Sequence, residues 1–274
     1  FPFSNFLLPE LQNENYYKSL QVQPLVWVRI AHKNISKFKE TFKNEIVDEV
    51  LINQNFVAFG LKNNTVIKPD SFPIEVQDLS SQMVSSRIEV KYGMKVWDCC
   101  SGAGGKSLFV AENFKNVKLY ASDVRPSILE NLKTRFKQNR LQIPKIAVAD
   151  LNKKPEKINF DGEIVGRNFF DVIIADVPCS GSGTWGREPE NLTYFKPEKL
   201  DEMINRQINI IQSSLRFLNR GGKLYYITCS VFEKENYGVV KELEKLGLVK
   251  IVKSEMIYGF DKRADNLFIA ELVI

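Results

Sequence analysis

The pattern of apolar and polar positions changes once along the chain. Between residues 25 and 67 the apolar runs are short: LVWVRI at 25–30, a lysine-rich amphipathic segment at 34–43, and NFVAFGL at 55–61. That succession predicts a small α/β unit. KPDSFP (68–73) is polar and carries two prolines, which mark it as a linker. From about residue 77, unbroken apolar runs alternate with helical periods. MKVWD (94–98), VKLYASD (117–123), KIAVAD (145–150), FFDVIIAD (169–176) and KLYYITC (223–229) read as strands. GGKSLFVAENF (104–114), SILENLKTRFKQNRL (127–141) and the segment 196–218 read as helices. In the last of these, Leu200, Met203, Ile204, Ile208, Ile211, Leu215 and Leu218 recur at helical spacing. VFEKENYGVVKELEKLG (231–247) reads as one more helix, and VKIVKSE and LFIAELVI as two closing strands.

Alternation of helices with continuously apolar strands predicts an α/β fold with a mostly parallel, doubly wound sheet. Such sheets bind ligands outside the carboxyl ends of their strands. Those ends carry Asp98 with Cys99 and Cys100, then Asp123, Asp150, Asp176 with Cys179, and Cys229. Acidic groups and thiols gather where this fold does chemistry.

Composition narrows the picture modestly. The 274 residues are 44% hydrophobic and 26% charged, as in soluble globular proteins. No apolar run reaches the 18 residues of a membrane span, so no membrane is expected. FPFSNFLLPE at the start is too short for a signal peptide and lacks its basic residues. Phe rather than Met at position 1 points to a processed or truncated chain. A formal charge of +5 permits a polyanionic partner without requiring one. The four cysteines form no C-x2-C pair, so neither a zinc site nor a redox dithiol is expected. They read as reduced thiols of a cytosol-like compartment. No segment looks like a pairing helix, and a monomer is expected.

DCCSGAGGKS (98–107) follows a strand and opens a helix. A triphosphate loop needs glycine five positions before Gly105, and Cys100 stands there. The dinucleotide pattern fits Gly102 and Gly104 but then meets Ser107. A nucleoside cofactor without a pyrophosphate, such as S-adenosylmethionine, remains. Asp123, ending the next strand, could accept hydrogen bonds from ribose hydroxyls, and Asp150 from the adenine amine. Either could instead merely cap a helix.

Hydrolytic cysteines use a histidine, and His32, the single one, lies in the small unit and reads as a surface residue. If the runs ending at Asp176 and Cys229 pair, Cys179 and Cys229 fall within about 10 Å. A thiol, a carboxylate and S-adenosylmethionine together suit methylation of pyrimidine carbon 5. A thiolate adding to carbon 6 makes carbon 5 nucleophilic, and a carboxyl bonded to ring nitrogen 3 stabilises the adduct. The start of the following helix is placed to lower the pKa of Cys229. Spacing alone does not say which thiol attacks.

DCCSGAGGKS, SDVRPS, VAD, ADVPCSGSGTWGREPE and GGKLYYITCSVFEKEN resemble, in order and spacing, motifs of the RNA (cytosine-5) methyltransferases of the Sun/Fmu group. The likeness runs from about Pro24 onward and is strongest from Gln77 to Asn236. It implies a Rossmann-like, class I S-adenosylmethionine-dependent catalytic domain at 77–274. Before it would stand a small RRM-like domain at 24–76 and an extension at 1–23. The resemblance gives Cys100, Ser101, Gly102, Ala103, Gly104, Gly105 and Lys106 to the methionine part of the cofactor. It gives Asp123 to the ribose, Asp150 to the adenine, and Asp176 to the reacting centre. Cys229 would be the nucleophile, and Cys179 would release the methylated RNA.

Three departures stand out. Ala103 replaces a usual proline, Gly186 breaks a basic pair, and Asp265, Asn266, Leu267 and Phe268 replace Asp-Gly-Phe-Phe. The implied partner is RNA, ribosomal first and transfer RNA second. A non-catalytic RNA-binding protein on the same scaffold would be expected to lack Cys229 or Asp176, and both are present. Lys33, Lys37, Lys39 and Lys43 are expected phosphate contacts. KTRFKQNR (133–140) is expected to be a solvated helix face.

Overall fold

The structure is a computed structural model and describes residues 2–67 and 72–274. Most of the expected linker, residues 68–71, lies outside the described residues. The chain opens with α1 (Glu14–Ser19), whose N-terminus is capped by the Asn13 side chain accepting from the Tyr16 N–H. Then follow β1 (Val26–Ala31), α2 (Ile35–Thr41), β2 (Ile46–Leu51), β3 (Phe56–Leu61) and β4 (Glu75–Val76). These strands form an antiparallel sheet in the order β2-β3-β1-β4. All six residues of β3 are buried, whereas β2 alternates half-buried and exposed positions. A strand covered on both faces is apolar throughout, and an edge strand with a wet face alternates. This is why NFVAFGL was visible in the sequence and IVDEVL was not.

The second sheet has seven strands in the order β12-β13-β11-β10-β5-β6-β7. Its elements are α3 (Leu79–Ser86), β5 (Lys95–Asp98), α4 (Gly105–Asn113), β6 (Lys118–Asp123), α5 (Pro126–Gln138) and β7 (Lys145–Val148). A hairpin of β8 (Ile158–Phe160) and β9 (Glu163–Val165) follows, then β10 (Phe170–Asp176), α6 (Glu190–Tyr194), α7 (Leu200–Leu215) and β11 (Leu218–Thr228). The chain closes with α8 (Tyr237–Lys245), β12 (Lys250–Ile257) and β13 (Leu267–Val273). Strands β7, β6, β5, β10 and β11 are parallel. β13 runs antiparallel between β11 and β12.

The sheet is covered on both faces. Val84 of α3 and Val110 of α4 pack with Val96, Val172 and Ile174 on one side. Ile210 and Ile211 of α7 and Val239, Val240 and Leu243 of α8 pack with Trp97, Ile173 and Tyr226 on the other. Each such side chain contributes about 1.5–3 kcal/mol on burial, which outweighs local propensity in fixing strand against helix. The chain winds β5 to β6 to β7 in one direction and returns to β10 and β11 on the other side of β5. The crevice of such a sheet opens at that reversal, between β5 and β10.

Two predicted helices are shorter than expected. The 231–247 segment is helical only over α8. Residues 231–236 form a loop with a single 3-10 turn, because Glu235 and Asn236 turn inward and are fully buried or nearly so. The 196–218 helix stops at Leu215, and Leu218 already begins β11. Of the expected solvated face at 133–140, Thr134, Lys137, Gln138 and Arg140 are exposed, but one side of it turns inward. Leu132 and Phe136 are buried, and Arg135 donates to the carbonyl of Ala103 at 2.8 Å and bonds Glu75 of β4.

Candidate active site

A cleft of about 730 Å³ opens at the carboxyl ends of β5, β6, β7, β10 and β11. All of the anticipated site residues line it except Gly104. Gly104 is buried with φ +82°, and a Cβ there would come within 2.6 Å of Leu132 Cγ. It shapes the loop from behind by tolerating a left-handed backbone.

The loop entering α4 is fixed by backbone bonds. Ser101 N–H donates to Ser122 O at 2.9 Å, and Gly102 N–H donates to Asp123 Oδ2 at 3.0 Å. Burial alone would raise the Asp123 carboxyl. Hydrogen bonds and charge from Arg125, at 2.9 Å through Nε, instead hold it below the usual carboxylate range. Asp150 does two things. Its Oδ1 accepts from the Asn152 N–H at 3.1 Å, capping a short turn, while the residue also borders the cleft.

Asp98 was visible at its strand end but had no role in the sequence reading. Its Oδ2 accepts from Ser107 Oγ at 2.7 Å. Burial pushes its carboxyl up to about 7, against the Ser107 bond and the charge of Lys106. Among the described residues, Asp98 Oδ1 and Ser101 Oγ are buried with no hydrogen-bond partner, and both residues border the cleft. Orphaned buried polar atoms are costly. Two of them beside the glycine loop fit the ammonium and carboxylate of an amino-acid moiety, and with Asp123 and Asp150 the donor set fits S-adenosylmethionine. Lys106, given by the resemblance to the cofactor, lines the cleft. Its Nζ is paired with Asp176 Oδ2 at 2.5 Å. Burial would lower its pKa, but Asp176 above all, then Asp98 and Cys229, keep the ammonium raised.

Asp176 ends β10 opposite Ile227 of β11, so the two thiols follow from neighbouring parallel strands. Cys179 Sγ and Cys229 Sγ are 3.4 Å apart. Gly183 locks the two loops together: its N–H donates to Cys229 O at 2.9 Å, and its carbonyl accepts from Asn266 N–H at 2.9 Å. The expected helix start beside Cys229 is not there. α8 begins only at Tyr237, and the cation nearest this role is Lys106. Cys99 is buried in the core, while Cys100 borders the cleft. His32 is exposed, as anticipated.

Behind the thiols lie residues that the sequence reading passed over. Glu235, Gln207, Ser230 and Ser182 are fully buried and bond one another or the thiol loops. Gln207 had a signal: it is a polar residue inside the apolar stripe of α7, three positions after Ile204 and three before Ile210. Glu235 had none, since it sat in a run of charges that read as a solvated helix.

The family described as 16S rRNA methyltransferase RsmB/F matches residues 86–269. The ribosomal RNA small subunit methyltransferase B of Xanthomonas campestris is 23% identical over 227 residues, covering 81% of this chain and 50% of that protein. The enzyme of the same name from Vibrio vulnificus is 28% identical over 239 residues, covering 84% and 54%. The chain thus spans about half the length of these curated relatives. A methyltransferase homologue from Pyrococcus horikoshii superposes with a TM-score of 0.77 at 18% identity, covering 98% of this chain and 92% of that one, a likeness of fold. A seven-stranded Rossmann-like sheet, a glycine loop at its switch point and a family match across two-thirds of the sequence converge: this chain belongs to the 16S rRNA methyltransferase RsmB/F family.

Proposed function

We propose that this chain methylates carbon 5 of a cytosine in RNA, with S-adenosylmethionine as methyl donor and a cysteine–cytosine adduct as intermediate. The observation that carries the reading is the pair of sulfurs 3.4 Å apart at one end of the cleft, with the glycine loop, Asp123 and Asp150 at the other. S-adenosylmethionine, when bound, supplies an electrophilic methyl group. Ser101, Asp98, Asp123 and Asp150 would hold it.

The chain's own residues do the rest. Cys229, in the same cleft as the Lys106 ammonium, adds to carbon 6 as a thiolate, and carbon 5 gains nucleophilic character. Asp176 is half exposed to the cleft, so its carboxyl can bond ring nitrogen 3 or the exocyclic amine and stabilise charge in the adduct. After methyl transfer, a base takes the proton from carbon 5, the carbon–sulfur bond breaks and the Cys229 thiolate leaves, with Cys179 proposed to assist this release. The target base must leave its stack to reach the cleft, which favours single-stranded or looped RNA. Small-subunit ribosomal RNA is the proposed substrate, on the strength of the family. The sheet β2-β3-β1-β4, within the proposed domain 24–76, is the proposed RNA contact. Exposed Lys33 and Lys43 are its best candidates, because Lys39 is paired with Glu49 at 2.6 Å and Lys37 lies over Phe72.

The test is a pair of variants incubated with S-adenosylmethionine and small-subunit RNA. Cys179→Ala is expected to accumulate a protein–RNA adduct, read as a shifted band on a denaturing gel. Cys229→Ala is expected to give neither adduct nor 5-methylcytosine while still binding the cofactor. Turnover by Cys229→Ala would move the nucleophile to Cys179. Absence of any adduct in Cys179→Ala would remove the release role.

A further inference from the structure

Cys179 is gripped at both of its peptide neighbours by two buried side chains. Gln207, in the middle of α7, donates through Nε2 to the carbonyl of Pro178 at 3.1 Å and to Glu235 Oε1 at 2.9 Å. The same Glu235 oxygen accepts from the Ser180 N–H at 2.9 Å. The other, Oε2, accepts from the hydroxyl of Ser230, the residue after Cys229, at 2.6 Å. Tyr226 OH lies 3.0 Å from Gln207 Oε1 and 2.6 Å from the Glu235 carbonyl, and so fixes the amide orientation. Every partner of the Glu235 carboxylate is a donor, and an amide in its place could not accept all three bonds.

Two sulfurs this close cannot both ionise, because like charges in contact disfavour each other. Their surroundings differ. Lys106 of α4 lines the same cleft as Cys229, whose charge helps keep its ammonium raised. Around Cys179 stand Tyr226 of β11 and Cys229 just after it, Glu235 from the loop before α8, Asp176 from β10 and, lining the same cleft, Arg206 of α7. We propose that Glu235 is a positioning residue that, braced by Gln207, holds Cys179 against Cys229 and makes Cys179 the sulfur that keeps its proton. The attacking thiolate then forms at Cys229, in the cleft it shares with the cation. Consistent with this, the Cys179 thiol is pushed well up by its bond to Cys229, by burial, and by the charges of Cys229 and Glu235. The assignment deepens the adduct reading and rests on it for its catalytic meaning.

The experiment needs neither RNA nor cofactor. The folded chain is alkylated with iodoacetamide between about pH 6 and 10, and each thiol is followed by peptide mass spectrometry. Wild-type Cys179 is expected to react at higher pH than Cys229. In Glu235→Gln, Cys179 is expected to react about tenfold faster at neutral pH with Cys229 unchanged. Gln207→Met keeps the carboxylate but removes its brace and the bond to the Pro178 carbonyl, so Cys179 is expected to react faster than in the wild type, though less so than in Glu235→Gln. Equal acceleration of both thiols in Glu235→Gln, or no change in Cys179, overturns the proposal. If Glu235→Gln does not fold, as judged by circular dichroism, Gln207→Met decides, and an unchanged Cys179 there overturns it. Failure of Cys179→Ala to trap RNA while these profiles hold would remove the release role of the proposed function and leave the proton assignment standing.

Discussion

Single atoms decide much of this site. At Gly104 a methyl group meets two obstacles: a left-handed backbone at φ +82° and Leu132 Cγ at 2.6 Å. The first costs about 1–2 kcal/mol for an L residue, and the second must displace a buried leucine. Gly104→Ala is therefore expected to lower the melting temperature by roughly 5 °C or more. It should also weaken cofactor binding, since the same loop carries Ser101 and Gly102. Differential scanning calorimetry and titration with S-adenosylmethionine check both halves. An unchanged melting temperature would mean that Leu132 and the loop yield freely. Gly102, by contrast, also has positive φ (+52°) but open space around it, so its alanine variant meets only the backbone cost.

Among elements, the connection between the two sheets matters most. Arg135 of α5 reaches the carbonyl of Ala103 in the glycine loop and pairs with Glu75 of β4. Arg29 of β1 is buried, bonds Gln77, pairs with Glu112 of α4 at 2.6 Å, and lies between the rings of Phe56 and Phe109. The small sheet is thus bonded through Arg135 to the glycine loop and through Arg29 to the far end of α4. Removing one partner of a buried pair strands the other, so Arg135→Met should loosen the loop. The expected result is about a tenfold loss of cofactor affinity, equivalent to about 1.4 kcal/mol, with the seven-stranded sheet intact. Titration calorimetry alongside far-ultraviolet circular dichroism reads this, and unchanged affinity would show that the loop holds its shape unaided.

The same element scale explains what the sequence could reveal. β10 and β11 are buried on both faces, so FFDVIIAD and KLYYITC announced themselves by unbroken apolar character. Their pairing, and hence the meeting of Cys179 with Cys229, followed from adjacent strands ending in thiols. The 3-10 turn at Glu233–Glu235 was illegible because its charges resemble those of a solvated helix. Only the distant Gln207, Ser180 and Ser230 make burial of Glu235 favourable. β2 and β4 were missed for a simpler reason: one alternates at a sheet edge and the other is two residues long.

For the whole molecule, two buried carboxyls set a pH response. Asp265 is pushed up to about 8, by burial first and by Asp78 second, although Arg187 pairs with it at 2.7 Å. Asp78 is raised too, by burial, while capping α3 and accepting from the Asp265 N–H at 3.0 Å. A carboxyl whose folded pKa lies above its unfolded value favours the folded state fully below the unfolded pKa. That advantage is lost as pH rises through the folded one. The window runs from the ordinary carboxyl value of 3.8 to about 8. Asp265→Asn is expected to lose less stability than the wild type across it, as urea melts at several pH values would read. Equal slopes would mean that Arg187 already compensates the charge. RNA binding should fall steeply with salt if lysine–phosphate contacts dominate, and a filter-binding salt series gives the slope.

One connection carries further than the site itself. β13 supplies the backbone beside Asn266, which seats Gly183 and through it the carbonyl of Cys229. Cys179 and Cys229 are thus translated well before the strand that finishes their setting. A nascent chain still lacking residues 267–273 would carry both sulfurs on a sheet without the strand that seats Asn266 against Gly183. On a ribosome, surrounded by the very class of RNA it is proposed to modify, the growing polypeptide would stay chemically silent. Stalled complexes ending before residue 267 should therefore yield no RNA cross-link, whereas the released product should.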